Sequence, residues 1–107
     1  MQPGLPPFTV TSSVEERVHV VRADGELDVA TAPQLRAALN AAEDADAPAI
    51  RLDLSGLTFI DSTGIAVLVE YTARSRANSD RLRILSGPAV DFALEVSGTR
   101  SHLPLVT

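Results

Sequence analysis

The chain is short, acidic and free of cysteine. Its 107 residues suit one hydrophobic core of ordinary size, so we expect a single domain. Hydrophobic residues make up 45% of the chain and charged residues 21%, a balance typical of folded domains. The lack of cysteine excludes disulfides, thiolate zinc sites and cysteine nucleophiles. A formal net charge of −5 repels phosphate backbones, so we expect no direct nucleic acid binding.

Two stretches bear on where the protein acts. The first eight residues, MQPGLPPF, lack the basic start and the uninterrupted apolar segment of a secretory signal. We expect residues 1–7 to form a flexible segment ahead of a domain at residues 8–107. The longest apolar-rich run, residues 57–69, is too short for a bilayer, which takes ~20 apolar residues. We therefore expect a cytoplasmic protein with no membrane insertion.

The chain begins with a predicted hairpin and a helix. Residues 8–13 and 17–23 are rich in β-branched side chains, and residues 13–16 between them predict the turn. Thr31, with Gln34 three residues later, predicts a capping box and a helix that begins at Thr31. The apolar positions that follow recur at helical spacing and end before Pro48: Leu35, Ala38, Leu39 and Ala42.

A strand and a second helix come next. Residues 49–54 alternate apolar with charged side chains, which predicts a strand, and we expect residues 55–58 to connect it to the following stretch. In the second helix Glu70 and Arg74 stand four residues apart on the expected solvent face. Its expected buried stripe is Ile65, Leu68, Val69 and Thr72.

The chain closes with a strand and a third helix. Residues 82–85 predict the strand, and Ser86-Gly87-Pro88 opens a helix that buries Val90, Leu94 and Ala93 and stops at Gly98. The predicted order is strand, strand, helix, strand, helix, strand, helix. The fold class is therefore α/β, with a mixed sheet and flanking helices.

The stretch Ile60-Asp61-Ser62-Thr63-Gly64 offers the first candidate site. Asp61 or Ser62 can each accept hydrogen bonds from the free amides of the second helix, which makes an ordinary cap the simplest interpretation. The alternative is phosphorylation of Ser62, which adds about −1.5 to −2 charge. A helix start tolerates a phosphate, so modification can block a docking surface without unfolding the domain.

Gly64 and Asp28 each have two interpretations, one structural and one as part of a contact surface. Gly64 permits close approach by backbone or by a partner, or it simply relieves crowding under the first turn. Asp28 stands before the predicted cap at Thr31, so it belongs either to a contact surface or to the turn itself.

Other chemistry finds little support in the sequence. A serine nucleophile elbow needs glycine two residues before the serine, where this chain has Ile60, so we predict that the protein is not an enzyme. His19 and His102 form no metal motif with the carboxylates, and no P-loop or GxGxxG occurs, so we expect neither a metal nor a cofactor. Four arginines form a basic cluster that is either a solvated surface or a docking site: Arg74, Arg76, Arg81 and Arg83.

Three motifs together resemble a known family. Gly25-Glu26-Leu27-Asp28, then Leu52-Asp53-Leu54-Ser55, then Phe59-Ile60-Asp61-Ser62-Thr63-Gly64 resemble the STAS domains of bacterial anti-sigma-factor antagonists. The likeness runs from about Phe8 to Val106 and implies a single STAS-like domain with four or five strands in a mixed sheet.

The resemblance also implies a function. It assigns Ser62 as the residue phosphorylated by an anti-sigma factor with serine kinase activity, and it assigns Asp28, Asp61, Thr63 and Gly64 to the partner-binding surface. The unphosphorylated protein would bind the anti-sigma factor and free the sigma factor in a stress response, phosphorylation would break the complex, and a serine phosphatase would restore it. The alternative is a STAS scaffold subunit of a transporter or lipid-transport complex, in which the serine is only a helix cap.

Overall fold

A computed structural model describes residues 8–106 as one sheet with helices. The expected segment at residues 1–7 lies outside the described residues, as does Thr107. The strands are β1 (Thr9–Glu15), β2 (Val18–Leu27), β3 (Ala49–Ile60), β4 (Leu82–Leu85) and β5 (Leu105–Val106). The helices are α1 (Ala32–Asp44), α2 (Ser62–Ala77) and α3 (Pro88–Ser97), and a 3₁₀ turn covers Arg100–His102. The mixed α/β fold is therefore confirmed.

The sheet has the strand order β1-β2-β3-β4-β5. β1 and β2 form the predicted hairpin and pair antiparallel, whereas β2, β3, β4 and β5 pair parallel to one another. Parallel neighbours need crossovers, and α1, α2 and α3 supply them. The carboxyl ends of β2 and β3 consequently open at the same edge of the sheet.

The hairpin turn is displaced from its predicted position. β1 continues to Glu15, and the turn consists of Glu16 and Arg17, whose φ angles of 50° and 72° are both positive. Positive φ at both central residues is what a type I′ turn requires, although glycine and asparagine usually supply it. The predicted turn at residues 13–16 is therefore wrong by about two residues.

Two other parts of the sheet differ from the prediction, the first because strand pairing outweighs a local turn signal. β3 continues through the predicted connection at residues 55–58, since β2 runs alongside it with register shifts near Asp24 and Gly56. β5 was not predicted, because its two residues are too short to show an alternation.

The core is made by one side of the sheet and the inward faces of the helices. Val21, Leu52 and Leu54 from the strands are fully buried together with Leu35 of α1 and Leu68 of α2. In α3, Val90 and Leu94 are buried, Ala93 is half-buried and Gly98 ends the helix with a φ of 73°, all as predicted. Within residues 8–106, every helix is too short or too polar to span a bilayer.

The buried stripe of α2 is rotated relative to the prediction. Val67, Leu68, Tyr71 and Thr72 are buried, whereas Val69 is 41% exposed and Ile65 is half-buried. The prediction was therefore wrong for Val69. Its valine side chain lies on the solvent side of the helix and leaves an apolar residue on the surface.

The orientation of α2 can be tested by making the same valine-to-alanine substitution at two positions. We expect Val67→Ala to lower the free energy of unfolding by about 1.5–3 kcal/mol, because its side chain is fully buried. Val69→Ala should change it by less than about 0.5 kcal/mol, because that side chain is largely in water already. Urea denaturation of both variants measures the difference, and equal losses would contradict the observed orientation of α2.

Candidate functional site

The candidate site lies where β2 and β3 end side by side. The last residues of these parallel strands, Leu27 and Ile60, are register partners, so Asp28 and Asp61 each take the next position along the chain. The amide of Asp61 donates a hydrogen bond of 3.2 Å to the carbonyl of Leu27. Adjacent strands lie about 4.8 Å apart, so the pairing holds the start of the β2–α1 loop beside the start of α2.

Asp61, and not Ser62, caps α2. The Oδ1 atom of Asp61 accepts a hydrogen bond of 3.1 Å from the amide of Gly64, and its backbone is extended as an N-cap requires. Ser62 is the first residue of the helix proper and is exposed. Of the two capping alternatives, the structure shows the one that leaves Ser62 outside the cap.

Gly64 fits tightly beneath the first turn of α2. A Cβ atom at this buried position would lie 2.6 Å from Cγ1 of Ile60 and 2.9 Å from Cγ of Leu27. Such approaches are too close for a side chain without displacement of the strand ends. Gly64 therefore lies beneath the surface, where it lets α2 start directly on the ends of β2 and β3. Thr63, beside it, is half-buried.

Asp28 holds its own loop in place. Its Oδ1 atom accepts hydrogen bonds from the amides of Ala30 and Thr31, at 3.0 and 3.1 Å. The Thr31 hydroxyl in turn donates to the carbonyl of Glu26 and accepts from the amide of Asp28. Thr31 is the N-cap residue of α1 but makes no side-chain cap bond, so the predicted capping box is wrong. The turn alternative for Asp28 is thus observed, and its carboxylate remains half-buried at the site.

Two exposed apolar side chains that lie close in sequence to the site residues were missed by the sequence analysis. Val29, next to Asp28, is 72% exposed, and Phe59, two residues before Asp61, is 45% exposed. Had β3 been predicted to run to Ile60, the alternation along a strand would have placed Phe59 and Ile60 on opposite faces. Val69 lies seven residues after Ser62, and such spacing puts both on one side of α2.

We call the exposed side of α2 formed by Ser62, Ala66 and Val69 the serine face. All three residues are exposed, and the two that follow Ser62 on this side of the helix, Ala66 and Val69, are apolar. Ser62 also stands at the start of a 16-residue helix, where backbone amides and the helix dipole favour an added negative charge by ~0.3–1 kcal/mol. The start of α2 therefore favours negative charge at the position of Ser62.

Three of the four arginines in the cluster, Arg74, Arg81 and Arg83, bond to other groups of the same chain. Arg74 forms an ion pair with Glu43 of α1 at 2.6 Å and lies 4.8 Å from the Tyr71 ring centre. The hydrogen bond to Glu43, and then its charge, raise the pKa of the Arg74 guanidinium above its ordinary value. Arg81 donates to the carbonyl of Glu43 in the last turn of α1 and to the carbonyl of Ala47 in the loop before β3.

Arg83 donates to nearby backbone carbonyls, and Arg76 is exposed. The predicted Glu70 and Arg74 pair exists at 3.9 Å, but both residues also bond to α1. Two of the four arginines, Arg74 and Arg81, thus tie α2 and the start of β4 to α1. Among residues 8–106, no group of three or more histidine or acidic side chains is arranged to hold a metal ion.

Comparisons with known proteins bear on this site. The family model described as "Mlab, STAS domain" matches residues 10–105. The crystal structure of an anti-sigma factor antagonist from Mycobacterium paratuberculosis is 29% identical, with a TM-score of 0.80 over 92% of this chain and 85% of that chain. The anti-sigma factor antagonist SpoIIAA in its unphosphorylated form is 25% identical, with a TM-score of 0.70 over 94% of this chain and 89% of that chain. The phosphorylated form of the Bacillus cell fate determinant SpoIIAA, 24% identical, shares the fold with a TM-score of 0.66 over 94% and 92% of the two chains.

The cap assignment can be tested directly. We expect Asp61→Ala to lower the free energy of unfolding by about 1 kcal/mol, because the amide of Gly64 loses its acceptor. Ser62→Ala should change it by less than about 0.5 kcal/mol. Asp61→Asn, which keeps a capping oxygen, is the matched control. A larger loss for Ser62→Ala than for Asp61→Ala in chemical denaturation would contradict the assignment.

Proposed function

The chain belongs to the STAS domain family, and from this premise we propose that it is an anti-sigma-factor antagonist controlled by phosphorylation of Ser62. The observation that carries the proposal is that Ser62 is exposed at the start of α2 while Asp61 supplies the cap. A serine with no capping task is free for modification. The similarity to SpoIIAA, solved in an unphosphorylated form, supports the same role.

The proposed partner is an anti-sigma factor that is also a serine kinase. In its unphosphorylated form the protein docks through the serine face, with Val29, Asp28, Asp61 and Thr63 around it and Gly64 packed beneath it. Burial of the exposed valine side chains contributes about 25 cal/mol per Å² of apolar surface, which favours the complex. Occupation of the anti-sigma factor leaves the sigma factor free for transcription.

Phosphorylation would reverse this binding by local electrostatics. The Ser62 Oγ attacks the γ-phosphorus of ATP, the Oγ–P bond forms as the bond to ADP breaks, and the hydroxyl proton passes to a base of the kinase. The product carries about −1.5 to −2 charge beside the Asp61 carboxylate, at the edge of an apolar surface. Burial of that charge in the complex is costly, so the complex dissociates.

A serine phosphatase would complete the cycle. Water hydrolyses the phosphate ester, inorganic phosphate leaves, and the neutral hydroxyl returns. In this scheme the protein is the substrate of two enzymes and has no catalysis of its own. Since a sigma factor and its regulator act on the transcription machinery, we place the protein in the cytoplasm.

The alternative role is that of a scaffold subunit in a transporter or lipid-transport complex. In that role the serine would serve only as a helix cap. Because Asp61 caps α2, the exposed hydroxyl at Ser62 is not explained by capping. Co-purification with transporter subunits, together with an unmodified Ser62 in every growth condition, would favour the scaffold role over the switch.

Binding of the anti-sigma factor tests the switch. In the presence of ATP we expect Ser62→Ala to stay bound, while the wild-type chain is phosphorylated and released. Ser62→Asp should bind at least about tenfold more weakly than Ser62→Ala, equivalent to about 1.4 kcal/mol. Ser101→Ala, the same substitution at an exposed serine in the 3₁₀ turn and outside the proposed docking surface, is the control and should be phosphorylated and released like wild type. Equal binding by wild type, Ser62→Ala and Ser62→Asp would rule the mechanism out.

A further inference from the structure

The edge of the sheet at β1 lacks several features that usually protect an edge strand. Over residues 8–106, β1 is the terminal strand of the sheet and pairs with β2 alone. Sheet edges are commonly protected by proline, lysine or a bulge, because their unpaired backbone groups can bind another strand. β1 reads Thr-Val-Thr-Ser-Ser-Val-Glu, pairs with β2 without a register shift, and includes none of these protections.

The hairpin turn fixes which backbone groups of β1 point outward. Glu15 and Val18 close a two-residue turn, so they form a hydrogen-bonded pair, and such pairs then alternate along the strands. The residues bonded to β2 are accordingly Thr9, Thr11, Ser13 and Glu15. The amides and carbonyls of Val10, Ser12 and Val14 face away from the sheet.

The outward-facing amides and carbonyls of β1 can pair with those of a second β1 strand when the pairing is centred on Ser12. If two copies of β1 pair antiparallel over all seven residues, Ser12 faces its symmetry mate and Val10 faces Val14 of the other copy. These are the residues with outward amides, so the pairing forms about six hydrogen bonds. Val14 is 67% exposed, and Val10 packs partly on the core, so the new pair covers an exposed valine.

The charges within β1 also permit this pairing. Its single charged residue, Glu15, would face Thr9 of the other copy, so no like charges meet directly. The chain as a whole carries a formal charge of −5. The two copies would therefore meet along a nearly uncharged strip of an acidic molecule.

Helix α1 adds a second contact on the same side. Three α1 residues bond to α2: Arg36 to Glu70, Asn40 to Tyr71 and Glu43 to Arg74. The opposite side of α1, toward the free edge, carries Gln34, Ala38 and Ala41, of which Gln34 and Ala41 are exposed. α1 packs on both β1 and β2.

Strand spacing sets the distance between the two α1 helices in such a pair. The symmetry axis lies midway between the two β1 strands, so a helix above the boundary of β1 and β2 lies about one strand spacing, ~4.8 Å, from that axis. The two α1 helices are therefore roughly 10 Å apart. Helices pack at about 8–10 Å when small side chains lie between them. The alanine side of α1 therefore suits contact with its symmetry mate.

We propose that this protein self-associates as a symmetric dimer through antiparallel pairing of its β1 edges, supported by the alanine sides of α1. The occupant of the edge is a second copy, because the register, the valine pairing and the helix spacing all satisfy a two-fold axis. α2 lies on the other side of α1, so both serine faces remain open. The dimer would present two antagonist surfaces to its partners.

The same valine-to-lysine substitution at two similarly exposed positions, Val14 and Val96, tests the dimer. Sedimentation equilibrium on the full chain over a concentration series should show the mass rise toward twice the monomer value. Val14→Lys should shift the dissociation constant to at least tenfold higher concentration, because lysine replaces an edge contact. Val96→Lys, on α3 and 72% exposed, makes the same charge change away from β1 and should match wild type. A wild-type monomer at every concentration, or equal effects of the two variants, would overturn the proposal.

Hydrogen exchange tests the register independently of any variant. The amides of Val10, Ser12 and Val14 should gain protection as protein concentration rises, whereas those of Thr11 and Ser13 should be protected throughout by β2. Protection of the outward amides at all concentrations would mean that another part of the same chain covers the edge. Exchange that stays fast at every concentration would mean that the edge is unpaired. Either result would overturn the proposed pairing.

Discussion

The parallel pairing of β2 with β3 is the interaction on which the site depends. Because Leu27 and Ile60 end their strands in register, and the Asp61 amide bonds to the Leu27 carbonyl, two loops distant in sequence begin side by side. The close approach of Gly64 to the same two side chains then lets α2 start directly on the strand ends. The position of Ser62 follows from this packing.

Asp61 and Ser62 have separate roles at the start of α2. Asp61 satisfies a free amide of α2, so stability at the helix start does not require the serine hydroxyl. Val69 adds apolar surface on the same side of α2, and in the proposed complex a neutral hydroxyl would be compatible with docking there whereas a phosphate would not. The proposed switch would therefore change binding while it leaves the fold intact.

Prediction from sequence succeeded where the signal was local and periodic. The helices and the longer strands follow from hydrophobic spacing, and the resemblance around Ser62 identified the family. Sequence could not choose between Asp61 and Ser62 as the cap, because both side chains have nearly equal preference for that position. Thr31 did not form its capping box because its hydroxyl is bonded to Glu26, a contact that depends on how the loop folds. The extension of β3 was hidden because Gly56 suggests a turn until β2 pairs beside it.

The most direct test of this account is the phosphate occupancy of Ser62 in the native host. Quantitative mass spectrometry of the peptide that contains Ser62, from cells in growth and under stress, measures that occupancy. The account predicts a substantial occupancy at Ser62 that changes between the two conditions, with Thr63 unmodified. An abundant protein in which Ser62 carries no phosphate in either condition would contradict the switch.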